Sequence, residues 1–288
     1  MSIHHNTLVD LVGVRFLPSF SASAIRIGRR NIFTDITPVV SGRVHVHDNV
    51  VDGFDAVYPN GLAILNTEDR VVVRDNNVYG VTAGIRIEGE VKRPVRITGN
   101  HVVLVENPQL DELFPGTLRF GITGQGSLAS TPSNFLVRDN LVESEVADFV
   151  IGISMFPINA VGFPEYAFTS SRIVDNVVIL GGEVPAEPQL RYGMDIFSGS
   201  ARVSDVVMAR NNISGVATRA FVFEGFEDPA VGPTVYENNR VVDNEIGHLV
   251  VLQAAMFFDP FTRENLYRGA VGDVVLDQGV DNTVVLRP

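Results

Sequence analysis

Apolar and polar positions alternate along this chain in short runs, each broken by an asparagine held in a fixed frame. Three residues before the asparagine stands an apolar residue and two after it stands another. The frame holds at Asn6, Asn49, Asn76, Asn100, Asn140, Asn176, Asn211 and Asn239. The preceding column reads Ile3, Val46, Val73, Ile97, Val137, Ile173, Met208 and Tyr236; the following one reads Leu8, Val51, Val78, Val102, Val142, Val178, Ile213 and Val241. Further on, most units carry a second alternating run opening on a small residue, as in GIRIE from Gly84, GISMF from Gly152, GMDIF from Gly193 and AFVFE from Ala220. Period-two alternation predicts strands with one face inward. Each unit is therefore read as a strand, a tight corner at the Asn, a short strand and a third strand.

Successive asparagines lie between 24 residues (Asn76 to Asn100) and 43 residues (Asn6 to Asn49) apart. That fits a coil of about 22 to 25 residues lengthened by insertions at its corners, without the periods of leucine-rich or tetratricopeptide arrays. Segments such as VVVRDNNVYGVTAGIRIEG from Val71 and VVMARNNISGVATRAFVFEG from Val206 resemble the right-handed parallel β-helix superfamily, the pectate-lyase-like folds, over essentially the whole chain. The expectation is an all-β, single-stranded right-handed parallel β-helix of roughly eight to nine coils with an Asn ladder. No linker interrupts the register, so residues 1–288 are expected to form one domain. The first coil starts at Ile3 and the last ends in TVVLRP, which leaves no obvious room for caps. Open strand edges need covering, so end-to-end association, lateral oligomers or a lost flanking segment is expected.

At each corner the Asn is expected to bond to its neighbours above and below and to tolerate a left-handed backbone, which makes it scaffold. The acids just before it, Asp48, Asp75, Asp139 and Asp175, form a column broken by Gly99 and Arg210, better suited to turn bonding than to calcium. The longer insertions, ENPQLDELFPG from Glu106, GGEVPAEPQLR from Gly181, FPINAVGFPEYAF from Phe156 and AAMFFDPFTREN from Ala254, are expected to wall a groove whose floor is the third strand. With the residue after the small one inward, the floor reads Ala63 and Leu65, Arg86 and Glu88, Thr123 and Gln125, Ser154 and Phe156, Asp195 and Phe197, Val222 and Glu224.

Two pairs on that floor carry candidate chemistry. Asp195 and Glu224 fall in adjacent coils and two positions apart, which places their side-chain roots about 8 Å from one another. This is in the range of paired carboxyls that cleave glycosides; the alternative is two solvated acids. Arg86 and Glu88 offer a base beside a groove, as resembling lyases use, or else an exposed cross-coil ion pair. Thr123, Gln125, Ser154, Phe156 and Phe197 are the candidate substrate-binding residues. The resemblance stops short of any one enzyme family. The Asn-Thr-Asp, Asp-Asp and Gly-His-Gly segments of polygalacturonases are missing. Asp259 and Pro260 match an alginate-epimerase motif, but Phe261 stands where its His belongs.

Composition narrows the partners. A net charge of −12 argues against nucleic acid, and no apolar run is long enough for membrane insertion. With no cysteine there is no disulfide, thiolate nucleophile or thiolate-held metal, and Lys92 is the only lysine. His4, His45 and His47 are placed near one another by the register, the one arrangement suggesting a metal, though none is assigned, nor any cofactor. The absence of Trp weakens an enzymatic sugar groove. The resulting expectation is a noncatalytic module presenting its third-strand face to a glycan or protein partner. The alternatives are a polysaccharide lyase or glycoside hydrolase using the same groove, and a structural rod stacked end to end.

Overall fold

The computed structural model describes residues 1–12, 22–27, 42–55, 59–67, 70–91, 94–125, 134–146, 148–157, 167–182, 190–249 and 253–288. Their strands pair in parallel and stack coil on coil, forming a right-handed parallel β-helix. Among the described residues the first-strand sheet has ten strands, from Ser2–His4 to Thr283–Arg287, and the second has eight, from Thr7–Val12 to Glu245–Leu249. The third-strand sheet has nine, from Ala22–Ile27 to Val275–Asp277. Inward residues of all three sheets meet in one continuous core, with Val73, Ile97, Val137 and Ile173 from the first, Val78, Val102, Val142 and Val178 from the second, and Ile85, Ile122, Ile153 and Met194 from the third.

A fourth, four-stranded sheet runs through Ala167–Thr169, Arg202–Ser204, Val235–Glu237 and Thr262–Arg263. It corrects the reading of AAMFFDPFTREN as a loop wall: Ala254–Phe258 is a third strand and Thr262–Arg263 continues the fourth sheet. These polar-rich stretches extend the coil by a fourth side. Of the other insertions, ENPQLDELFPG folds into a short helix, Pro108–Leu113, whose cap Asn107 accepts from the Leu110 amide at 3.1 Å. Most of the insertions after Phe156 and Gly181 lies outside the described residues, as does Lys92.

The Asn ladder forms, with two corrections. From Asn6 through Asn49, Asn76, Asn100, Asn140 and Asn176 to Asn211, each Nδ2 donates to the next Oδ1 at 2.8–3.0 Å. The rung after Asn211 is Asn244, however, at 3.0 Å. Asn239 instead heads a second ladder through Asn265 to Asn282, at the corner between the fourth and first sheets. The two corners have the same local shape, so the same apolar frame surrounds each. The left-handed residue is also not the Asn but its predecessor: Asp48, Asp75, Gly99, Asp139, Asp175, Arg210 and Asp243 have φ between 54° and 66°. Asp and Gly suit that conformation, which explains the acid column and its glycine substitute. The Asn that follows is free to point its amide along the stack.

At the N-terminal edge His4 pairs with His47 and the rings stack, with centroids 4.8 Å apart. The third imidazole in the group is His5, with its Nδ1 2.7 Å from that of His4, while His45 lies opposite Ser2. Among the described residues no group of three or more His, Cys, Asp or Glu side chains is arranged to hold a metal.

Candidate functional site

The third-strand register brings the predicted floor together in two rows. Ala63, Arg86, Thr123, Ser154, Asp195 and Val222 lie side by side across six strands. Leu65, Glu88, Gln125 and Phe156 form the second row, with Phe197 opposite Glu224 at its far end. Asp195 thus faces Val222, two residues from Glu224, so the pair keeps its expected separation of about 8 Å at the side-chain roots.

The floor also includes a row that strict alternation misses. Phe120, Ile151, Tyr192 and Arg219 align immediately before the small residues, and Ile151 and Tyr192 join Val222, Phe257, Leu118, Phe120 and Leu190 in an outer apolar cluster. Two successive residues face inward at the small-residue column. A Cβ on Gly121 would lie 2.3 Å from Val142 Cγ1 and 2.5 Å from the Gly152 carbonyl oxygen. The backbone there is pressed against the second sheet, and the residue on its N-terminal side turns back outward. The only sequence signal for Tyr192 and Arg219 was their position just ahead of Gly193 and Ala220.

Between the outer cluster and the rings of Phe156 and Phe197 lies a cavity of about 310 Å³, with Ser154, Asp195 and Glu224 as its polar lining. Phe156 and Phe197 stand 5.0 Å apart between centroids. The expectation of two solvated acids is overturned at Asp195, which is 2% exposed. Ser154 hydrogen-bonds its carboxyl, yet Oδ1 has no partner. Burial raises its pKa well above the usual carboxylate range, with the Glu224 charge adding to the rise and the Ser154 bond opposing it.

Glu224 sits in a different environment. Arg219 reaches its Oε2 at 3.3 Å and also donates to the Tyr192 hydroxyl at 3.2 Å. The guanidinium lies over the Phe257 ring, 3.9 Å from its centroid. Burial raises the Glu224 pKa and Arg219 opposes that rise. Tyr192 is pushed up to about 12, mainly by burial, so its hydroxyl stays protonated at neutral pH.

Arg86 and Glu88 are not part of this constellation. They belong to one strand, Ala83–Val91, and pair with each other at 2.8 Å with side chains 11% and 12% exposed. The ion pair is within a strand and largely covered, not cross-coil and exposed. Arg86 stands three strands from Asp195 along the row, about 14 Å away. Thr123 and Ser154 lie between them, and Thr123 Oγ1 is buried without a partner. Gln125 occupies the strand position beside Phe156.

No protein-family model matches this chain, and no curated protein matches it. Among solved structures it is similar to the DFA-IIIase of Arthrobacter chlorophenolicus A6. The form in complex with DFA-III is 14% identical, with 94% of this chain and 70% of that one covered and a TM-score of 0.36. The form without its lid is also 14% identical, over 97% and 71% of the two chains, with a TM-score of 0.37. The lidless form in complex with GF2 gives 15%, 97%, 71% and 0.34. Similarity this remote carries no argument about activity, and the parallel β-helix rests on the strand pairings themselves.

Proposed function

We propose that the third-strand cavity receives a carbohydrate unit and cleaves a glycosidic bond, with Asp195 as general acid and Glu224 as general base. The observation that carries this reading is the Asp195 carboxyl, covered, with one oxygen unpartnered, on the floor of a cavity that holds a second acid. A buried carboxyl without an ion-pair partner costs stability, and such groups cluster where a proton must be held at neutral pH. A cavity of about 310 Å³ is at the small end of ligand sites. The faces of Phe156 and Phe197 suit the C–H face of a sugar ring.

In this scheme Asp195 gives its proton to the glycosidic oxygen as the C–O bond breaks. Glu224, fixed by Arg219, takes a proton from the water that adds to the sugar carbon. One water is consumed, and the two carboxyls exchange protonation states before solvent restores them. Arg219 is a positioning residue here, acting through Glu224.

A panel of neutral and acidic oligosaccharides, scored separately for binding and for new reducing ends, tests the reading. The wild-type protein is expected to cleave at least one of them, and Asp195→Asn or Glu224→Gln to lower kcat by roughly 10²- to 10⁴-fold with binding retained. Binding to wild type without cleavage would overturn the catalytic assignment and return the cavity to the noncatalytic glycan-presenting reading.

A further inference from the structure

A second cavity, of about 330 Å³, opens on the first-strand sheet, and its lining includes Arg96, Arg138, Arg172 and Arg210 against a single acid, Asp175. Four arginines and only one acid in the lining of a single cavity are unexpected on a chain with net charge −12. Their placement follows from register. Arg96 pairs with Leu136 and Leu136 with Arg172, so two arginines flank an apolar floor two strand spacings apart, about 9.6 Å. Arg138 lies two residues along the central strand from Leu136.

The one acid is already committed. Arg210 grips Asp175 through Nε at 2.7 Å and Nη2 at 2.8 Å, and Arg138 Nε approaches it at 3.4 Å while also pairing with Asp139 at 2.9 Å. The Asp175 carboxyl is held below the usual range chiefly by the Arg210 bond, with the charges of Arg138 and Arg172 contributing. Arg96 and Arg172 are exposed and make no ion pair among the described residues. Arg96 and Arg172 flank Leu136 from the strands on either side of it, and an anion seated over Leu136 would be within reach of both guanidinium groups. Arginine is suited to this, since its planar fork grips tetrahedral oxyanions through paired hydrogen bonds.

We propose that this cavity is a binding site for a small polyanion, a sugar-sized molecule carrying phosphate or sulfate groups, held by Arg96, Arg138 and Arg172. A long polyanion fits less well, because the cavity has room for one small molecule and the acidic remainder of the protein repels a chain running beyond it. The site lies on a different sheet from Asp195 and Glu224, so it stands independently of the catalytic reading.

Calorimetric titration of the full chain with glucose 1,6-bisphosphate, glucosamine 2,6-disulfate and, as controls, sucrose and single-stranded RNA tests it. The expected result is saturable one-to-one binding of one or both small polyanions and none of sucrose; which of the two binds separates phosphate from sulfate. The double variant Arg96→Ala, Arg172→Ala should weaken binding at least tenfold. Arg96→Lys with Arg172→Lys should recover part of the loss, and Asp195→Asn should leave binding unchanged. The melting temperature of each variant checks that it remains folded. No binding at millimolar ligand, equal binding by wild type and the double alanine variant, or a preference for RNA lost in that variant would each overturn the proposal.

Discussion

Asp259 shows at the level of one residue how burial writes itself into pH dependence. It is 4% exposed, its Oδ1 accepts from the Phe261 amide at 2.9 Å and its Oδ2 has no partner. Burial lifts its pKa from 3.8 to about 7. Below 3.8 both folded and unfolded chains hold this proton, and above 7 neither does. Between those limits the folded chain keeps a proton that the unfolded chain releases, so stability falls as pH rises across the window, by about 4 kcal/mol for this group. Asp195 acts in the same direction. Asp259→Asn, which retains Oδ1, should be more stable than the parent at pH 8 and lose much of the decline. Urea unfolding at pH 5 and pH 8 reads this directly, and a parent equally stable at both would refute it.

Among the elements, the ladder carries the sharpest energetic claim. Asn140 Nδ2 donates to Asn176 Oδ1, and to the carbonyls of Ile97 and Arg138, while its own Oδ1 accepts from the backbone and side chain of Asn100. Removing it would strand buried donors and acceptors at about 1–3 kcal/mol each. Asn140→Ala is therefore expected to cost about 3 kcal/mol or more in denaturant unfolding, whereas Asn6→Ala, at the exposed first rung, should cost under about 1 kcal/mol. Equal losses would show that the stacked amides do not act as a buried array. The strands and this ladder were legible because inward Val and Ile recur at fixed distances from each Asn. The split into two ladders was not, because Asn211 and Asn239 carry the same local frame and only the sheet to which the next strand pairs separates them.

For the whole molecule, the single core cluster from Ile25 to Tyr267 leads us to expect a single domain. Its ten stacked first strands span about 43 Å at the usual spacing. A calorimetric scan should show one transition whose calorimetric and van't Hoff enthalpies agree; two separable transitions would divide the chain. The same stacking turns residues far apart in sequence into rows, and the two cavities exist only in those rows. The sequence by itself determined the parallel β-helix, the alternation of faces away from the small-residue column and the register that puts Asp195 and Glu224 on adjacent strands two positions apart, because each depends on short-range alternation repeated coil after coil. Tertiary structure alone decided that Asp195 is covered, that Tyr192 and Arg219 face outward beside it, and that four arginines line one cavity with a single acid. Burial, the bend at each small residue and the meeting of charges across strands are set by what the neighbouring coils place there, and no single coil encodes them.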